Sequence, residues 1–550
     1  MTARFLRAIA PLAFVLAAPA AAKAPERPKL IVALVVDQFA ADLFERYRPT
    51  YTGGLKRLAN GLTFVNGFQS HSGTETCPGH STILTGRHPA STGIVANTWY
   101  DRASGKSVYC VNLPGADPSV RGPMNLRADT LGTWLKASEP RAQVVSVSGK
   151  DRAAIMLAGH HADAVYWWDG EGGFTTASTA GPVTPQVTRL ADAFDKSTFA
   201  GWRTAPPLLW PRNIPHRCVA MEKPERFGEV SLSGHLPPDA AAVGPADKAF
   251  DDQLHVSPLL DRLTLDFAAR AVTARHLGKG PAIDLLAVSL SATDYVGHRY
   301  GKGGPEMCAQ VAALDQALGD FFARLDALKV PYVVALTADH GSSDAPERAA
   351  REGAAGAHRI DGRALLRSLN SHLKQTFALA ADPIKSVETQ ELIVVTGDPA
   401  LDVRVRNEAA SWLRTQPDVV QVLTRDEIAA AAPREGTAPD KLTMAERFHE
   451  SFDPARSGDV FIVFPPNTST INPRAPGQAI AGHGSPWDYD RRVPILFWWP
   501  GAGAQPVSRP IETVDIAPTL AAIAGVRTPR LDGRCLPEVT DCVEAAAARH

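Results

Sequence analysis

The chain has 550 residues, 45% of them hydrophobic and 21% charged, with 57 Lys and Arg against 58 Asp and Glu. That profile is globular, and the length suits one large α/β enzyme carrying long insertions. The near-neutral balance argues against a nucleic-acid-binding surface, whose phosphate contacts need a basic face, so any phosphate chemistry must come from a local site.

Arg4 and Arg7 precede an apolar run over residues 8–22 that closes on Ala20-Ala21-Ala22. This pattern predicts a cleaved signal peptide over 1–22, a mature chain starting near Lys23 or Pro25, and a periplasmic or secreted location. The run is shorter than the roughly 20 apolar residues of a stable membrane span, and no later segment is long and apolar enough to make one. Losing the leader leaves 55 or 54 basic residues against 58 acidic ones, a net charge of −3 or −4. Cys77, Cys110, Cys218, Cys308, Cys535 and Cys542 are an even set in an exported chain, so disulfides are expected. Cys535 and Cys542 are close enough in sequence to staple the tail; connectivity is otherwise open.

Short β-branched runs then recur at 30–36, 144–147, 283–290, 332–336, 460–464 and 493–498. Runs this apolar suit strands buried on both faces, as in a parallel sheet covered by helices. Helical patterns fall between them, at 79–84, 307–328 and 513–524. The alternation predicts an α/β fold with a doubly wound, mostly parallel sheet sandwiched by helices. One catalytic domain over 23–550 is expected, with insertions near 155–255 and 345–455 read as caps. Ligands of such sheets sit beyond the carboxyl ends of the strands, which directs attention to the residues that follow each run.

Those positions hold Asp37, Asp339 and His340, and the pair Asp294 and His298. The i, i+4 spacing of that pair puts both on one face if a helix starts there. His483 lies in a Gly-flanked loop. A lone Asp after a strand is usually a helix cap, but three carboxylates and three imidazoles at strand exits form a mixed O/N set suited to two zinc ions. Two such ions can stabilise both the attacking and the leaving oxygen of a phosphoryl displacement. The segment 73–86 supplies a hydroxyl, Thr76, at a loop-to-helix junction where oxyanions are favoured, with Pro78 fitting the first turn. A metal is needed to stabilise its alkoxide at neutral pH.

These motifs, in this order, resemble type I phosphodiesterases and threonine-nucleophile alkaline phosphatases of the alkaline phosphatase superfamily. The likeness spans about residues 29–533 and includes Thr513-Val-Asp-Ile-Ala-Pro-Thr-Leu, a structural helix in those proteins. It implies one zinc on Asp294, His298 and His483, and a second on Asp37, Asp339 and His340 with Thr76 as the coordinated nucleophile. Asn97, 21 residues after Thr76, and Lys150-Asp-Arg152 resemble the phosphoryl contacts of the phosphate-irrepressible alkaline phosphatases. Two added cations favour a monoester, whose non-bridging oxygens carry up to two charges. If that stretch is extended, Lys150 and Arg152 share a face.

The expected function is therefore a secreted zinc-dependent hydrolysis of small organic phosphate monoesters through a phosphothreonine. The oligomeric state is not legible. The rival is a phosphodiesterase or nucleotide pyrophosphatase of the same superfamily, for which Tyr166-Trp167-Trp168 would serve as a base-stacking platform; the preferred reading of that cluster is packing under a loop of the first insertion. A sulfatase would need a C-x-P-x-R pattern, which the direct Cys77-Pro78 step lacks.

Overall fold

A computed structural model describes residues 27–112, 120–170, 173–176, 183–202, 205–238, 248–388 and 390–542. The signal-peptide reading over 1–22 lies outside the described residues. Among the described residues, no helix is long and apolar enough to cross a membrane.

The architecture grows from the Leu30–Val36 strand, seven residues without an exposed side chain. It pairs in parallel with Asp284–Leu290 on one side and Tyr332–Thr337 on the other. Burying each such apolar side chain favours folding by about 1.5–3 kcal/mol over leaving it exposed. The parallel run continues through Val144–Ser148 to Ala164–Trp168. Beyond Tyr332–Thr337 the direction reverses: Arg492–Trp498 is antiparallel to it and to Leu62–Phe68. Short edge strands, Phe174–Thr176 and Gln505–Val507, complete the sheet, with Ile511–Glu512 paired beside Leu62–Phe68. The sheet is mixed, mostly parallel and covered by helices such as Pro258–Ala274 and Pro305–Ala327, as the alternation of runs predicts.

Three sequence expectations require correction. Val460–Val463 is a strand, but it belongs to a second, four-stranded antiparallel sheet with Ile384–Glu388, Glu391–Val394 and Gln421–Thr424. Its run is apolar throughout because both faces of that sheet are covered. Val460 and Ile462 pack with Leu369, Leu373 and Val405, while Phe461 and Val463 pack with Ile428, Phe448 and Phe452. Two-sided burial alone does not identify a strand of the central sheet.

The second correction concerns Tyr166, Trp167 and Trp168, which pack as expected but not under an insertion loop. They lie in a strand of the central sheet and are buried, Tyr166 against Phe267 and Trp168 against Phe174 and Phe199. They are core, with no free ring face for a base. The third is local: Lys150 is extended, but Asp151–Ala158 is a helix, so Arg152 stands in its first turn.

Three disulfides link Cys77 to Cys110, Cys218 to Cys308 and Cys535 to Cys542. The last is the tail staple expected from spacing.

Candidate active site

The carboxyl ends of the parallel strands converge on one cleft. Asp37 follows Leu30–Val36, and Asp339 and His340 follow Tyr332–Thr337. Asp294 and His298 project from the helix Ala292–Tyr300 that follows Asp284–Leu290. His483 comes from a loop preceding Arg492–Trp498. All six sequence candidates meet, in two groups of three: Asp294, His298 and His483, and Asp37, Asp339 and His340.

Their spacing tests whether the groups fit a metal. In one, Asp294 Oδ1 lies 3.3 Å from His298 Nε2 and 3.5 Å from His483 Nε2. In the other, His340 Nε2 lies 3.6 Å from Asp37 Oδ1 and 3.4 Å from Asp339 Oδ2. A tetrahedral zinc with ligands at about 2.0–2.1 Å sets their atoms about 3.3–3.4 Å apart. The tautomers agree as well. His298, His340 and His483 each turn Nδ1 to a backbone carbonyl, of Ala481, Gly341 and Thr74 at 3.0, 3.0 and 2.7 Å. Nδ1 must donate there, which leaves the Nε2 lone pair facing inward. Asp37 Oδ1, Asp294 Oδ1 and His340 Nε2 are buried without a hydrogen-bond partner among the described residues. Buried polar atoms left so are costly unless an ion completes them.

The electrostatics carry the same message. Burial raises the Asp37 carboxyl, and Asp339 beside it adds to the rise against the opposing Lys150. Burial would also raise Asp294, but Lys150 and His298 outweigh it and hold that carboxyl well below the ordinary range. Burial pushes His340 down to about 3. His483 goes up to about 9 despite burial, because it faces Asp294; a cation bound there would take that proton's place.

Thr76 is the first residue of the Thr76–Ile83 helix and 1% exposed. The helix lies against the Asp339 backbone, and only glycine fits at the contact: a Cβ on Gly79 would stand 2.0 Å from the Asp339 carbonyl oxygen. His80, one turn after Thr76, bridges the two layers. Its Nδ1 lies 2.9 Å from the Thr76 carbonyl oxygen and 3.0 Å from Asp339 Oδ2, and its Nε2 lies 2.8 Å from Ser289 Oγ.

The cations arrive from the neighbouring strand. Lys150 Nζ donates to Asp37 Oδ2 at 2.6 Å and to Asp294 Oδ2 at 2.5 Å, linking the two groups. Arg152 Nη2 lies 3.4 Å from Thr76 Oγ1, and its buried Nε has no hydrogen-bond partner among the described residues. Asn97 Oδ1 accepts the Cys77 N–H at 2.8 Å, and Glu75 Oε2 accepts the Asn97 N–H at 2.7 Å. The ten sequence-chosen residues thus stand together. Glu75 and His80 were missed, although His80 falls one helical turn from Thr76, a spacing that could have flagged it.

A cavity of about 330 Å³ opens over Thr76, Asn97, Arg152, Asp294, His298 and His483. Its far wall comes from the second sheet and its neighbours, through Glu391, Phe448, Phe452 and Phe461. The arrangement sets a hydroxyl at a helix start, the Arg152 guanidinium, an amide and one cation-ready group around one space, with Lys150 joining that group to the second, which suits displacement at an anionic centre.

Residues 31–486 match the family model for type I phosphodiesterase / nucleotide pyrophosphatase. The alkaline phosphatase PhoK of a Sphingomonas species is 41% identical over 542 residues, covering 95% of this chain and 93% of that protein. The alkaline phosphatase PhoD of Zymomonas mobilis is 38% identical, covering 94% and 89%. The crystal structure of the alkaline phosphatase PafA superposes with a TM-score of 0.79 at 28% identity, covering 94% of this chain and all of that one.

Proposed function

The chain belongs to the type I phosphodiesterase / nucleotide pyrophosphatase family, and we propose that within it this protein is an exported, zinc-dependent alkaline phosphatase. It hydrolyses small organic phosphate monoesters through a covalent phosphothreonine on Thr76. The activity follows the relatives named alkaline phosphatases. The observation that carries the reading is the placement of two cations at the site, Lys150 between the two groups of three and Arg152 beside Thr76. A monoester brings up to two charges on its non-bridging oxygens and a diester one, so two fixed cations favour the former.

The donor set of Asp294, His298 and His483 fits one zinc, and that of Asp37, Asp339 and His340 with Thr76 fits another. Bound zinc would supply Lewis-acid stabilisation of the oxygens that gain charge in the displacement. The chain's own groups do the rest. Thr76 Oγ1 gives up its proton to solvent and attacks phosphorus in line with the ester oxygen, whose bond to phosphorus breaks and which leaves as the alcohol after taking a proton from water. Arg152, Lys150 and the Asn97 amide hold the non-bridging oxygens. Water then cleaves the Thr76–phosphorus link and releases inorganic phosphate. Loss of the Thr76 proton supports an alkaline optimum. Export rests on the leader over 1–22.

The test is kcat/KM on paired aryl substrates, a phosphate monoester against a bis-aryl diester, in zinc buffer at mildly alkaline pH. A ratio strongly in favour of the monoester is expected. A ratio in favour of the diester would move the protein to the phosphodiesterase side of its family and remove the assigned role of Lys150 and Arg152.

A further inference from the structure

Arg152 is one of the two cations assigned to the phosphoryl group, yet among the described residues it makes no ion pair with a carboxylate that would fix its guanidinium. What holds it is a phenol. Tyr109 is the last residue of the Lys106–Tyr109 strand, paired with Thr98 in a hairpin whose other strand, Thr98–Asp101, begins directly after Asn97. The root of that hairpin is locked: Cys110 N donates to the Asn97 carbonyl at 2.9 Å, and Cys110 is disulfide-bonded to Cys77, next to Thr76. Tyr109 is thereby tied to both the amide and the nucleophile.

Tyr109 OH lies 2.7 Å from Asp151 Oδ1 and 3.4 Å from Arg152 Nη1. The polarity of this chain is forced. An ionised carboxylate only accepts, so the phenol donates its proton to Asp151 and turns its lone pairs to Arg152. Asp151 is itself held, accepting from Arg121 Nε at 2.9 Å through Oδ2 and from the Arg152 backbone N–H at 2.7 Å through Oδ1. The Arg121 guanidinium lies 5.3 Å from the Tyr109 ring centroid and closes the group from the other side. Arg152 therefore receives an acceptor at Nη1 while Nη2 is left beside Thr76 and Nε has no partner among the described residues.

We infer that Tyr109, oriented by Asp151 and Arg121, is a positioning residue that aims the Arg152 guanidinium at the phosphoryl oxygens and so sharpens the preference for monoesters. This rests on the phosphomonoesterase reading above. Using a phenol rather than a carboxylate to hold Arg152 leaves the full positive charge of the guanidinium for the substrate. A direct ion pair would fix it as well but would spend that charge on the protein.

Tyr109→Phe removes the hydroxyl and keeps the ring against Arg121. In the zinc-loaded enzyme, kcat/KM for an aryl monoester is expected to fall about tenfold, the scale of one hydrogen bond to a charged group, with the diester changed by no more than about twofold. In an Arg152→Ala background the same substitution should cost nothing further. Asp151→Asn, which withdraws the charge that orients the phenol, is expected to give the same substrate pattern and serves if Tyr109→Phe does not fold. Equal losses on both substrates, or a full additional loss in the Arg152→Ala enzyme, would overturn the inference. If Arg152→Ala leaves the monoester-to-diester ratio unchanged, the cation-pair reading and this inference fall together. If Arg152→Ala shifts the ratio and Tyr109→Phe does not, only this inference falls.

Discussion

The side-chain oxygen of Asn97 accepts the backbone N–H of Cys77 at 2.8 Å. The first N–H groups of a helix have no partner within it, so Cys77 calls for an acceptor and the amide must turn its oxygen there. Nδ2 is left for the cavity that Asn97 lines. The clasp decides which end of Asn97 meets a ligand, and that end is a donor.

Two variants separate the clasp from the donor. Asn97→Asp keeps an oxygen for Cys77 but sets a negative charge where a phosphoryl oxygen is proposed to be held; Asn97→Ala removes both. The expected order of monoesterase kcat/KM is wild type, then Asn97→Ala about tenfold lower, then Asn97→Asp lower by roughly another tenfold. An Asn97→Asp enzyme close to wild type would reduce the residue's role to the clasp.

Thr76→Ala removes the proposed nucleophile while leaving both carboxylate–imidazole groups in place. Turnover is expected to drop by about a thousandfold or more, with zinc content per chain largely retained. Thr76→Ser should recover part of the activity, because the hydroxyl stays at the same helix start. Wild-type-like turnover by Thr76→Ala would take Thr76 out of its proposed role.

Much of the site was legible because its chemistry lies at strand ends. Leu30–Val36, Asp284–Leu290 and Tyr332–Thr337 are apolar enough to be read as buried strands, and the polar residues after them stand out by contrast. Val460–Val463 reads the same way yet belongs elsewhere, since periodicity reports burial and not the sheet that provides it. Glu75, His80 and Tyr109 carried no such contrast. Only the one-turn spacing of His80 from Thr76 could have marked it; Glu75 and Tyr109 act on residues distant in sequence, Asn97 and the pair Asp151 and Arg152, and a one-dimensional pattern does not encode such contacts.

Lys150 and Arg152 reach the site differently, one between the carboxylates Asp37 and Asp294 and one beside Thr76. Replacing both with Ala is expected to depress monoesterase activity at least tenfold more than diesterase activity. Zinc content needs to be measured in the same preparation, because breaking a buried ion pair leaves carboxylates without a counter-charge. Equal losses on the two substrates would mean that the pair does not select for monoesters.

The last prediction concerns stability. Asp261, 1% exposed, accepts the Ala292 N–H at 2.9 Å and Gln310 Nε2 at 2.9 Å, while Gln310 Oε1 is buried without a hydrogen-bond partner among the described residues. Burial raises its carboxyl from an ordinary 3.8 to about 7, against the lowering effect of those hydrogen bonds. The folded state thus binds this proton more tightly than the unfolded one. The associated stability is fully present below about pH 3.8, falls as pH rises toward 7, and is lost above it. At the alkaline pH where the enzyme is proposed to work, the buried carboxylate is a net cost. Asp261→Asn removes the charge, and its NH2 can donate to Gln310 Oε1 if that amide turns over. The midpoint of thermal unfolding should rise by about 2–3 °C at pH 9, with the gap to wild type closing toward pH 4–5. A wild type at least as stable as Asp261→Asn at pH 9 would mean that neighbouring groups such as Lys150 already compensate the charge.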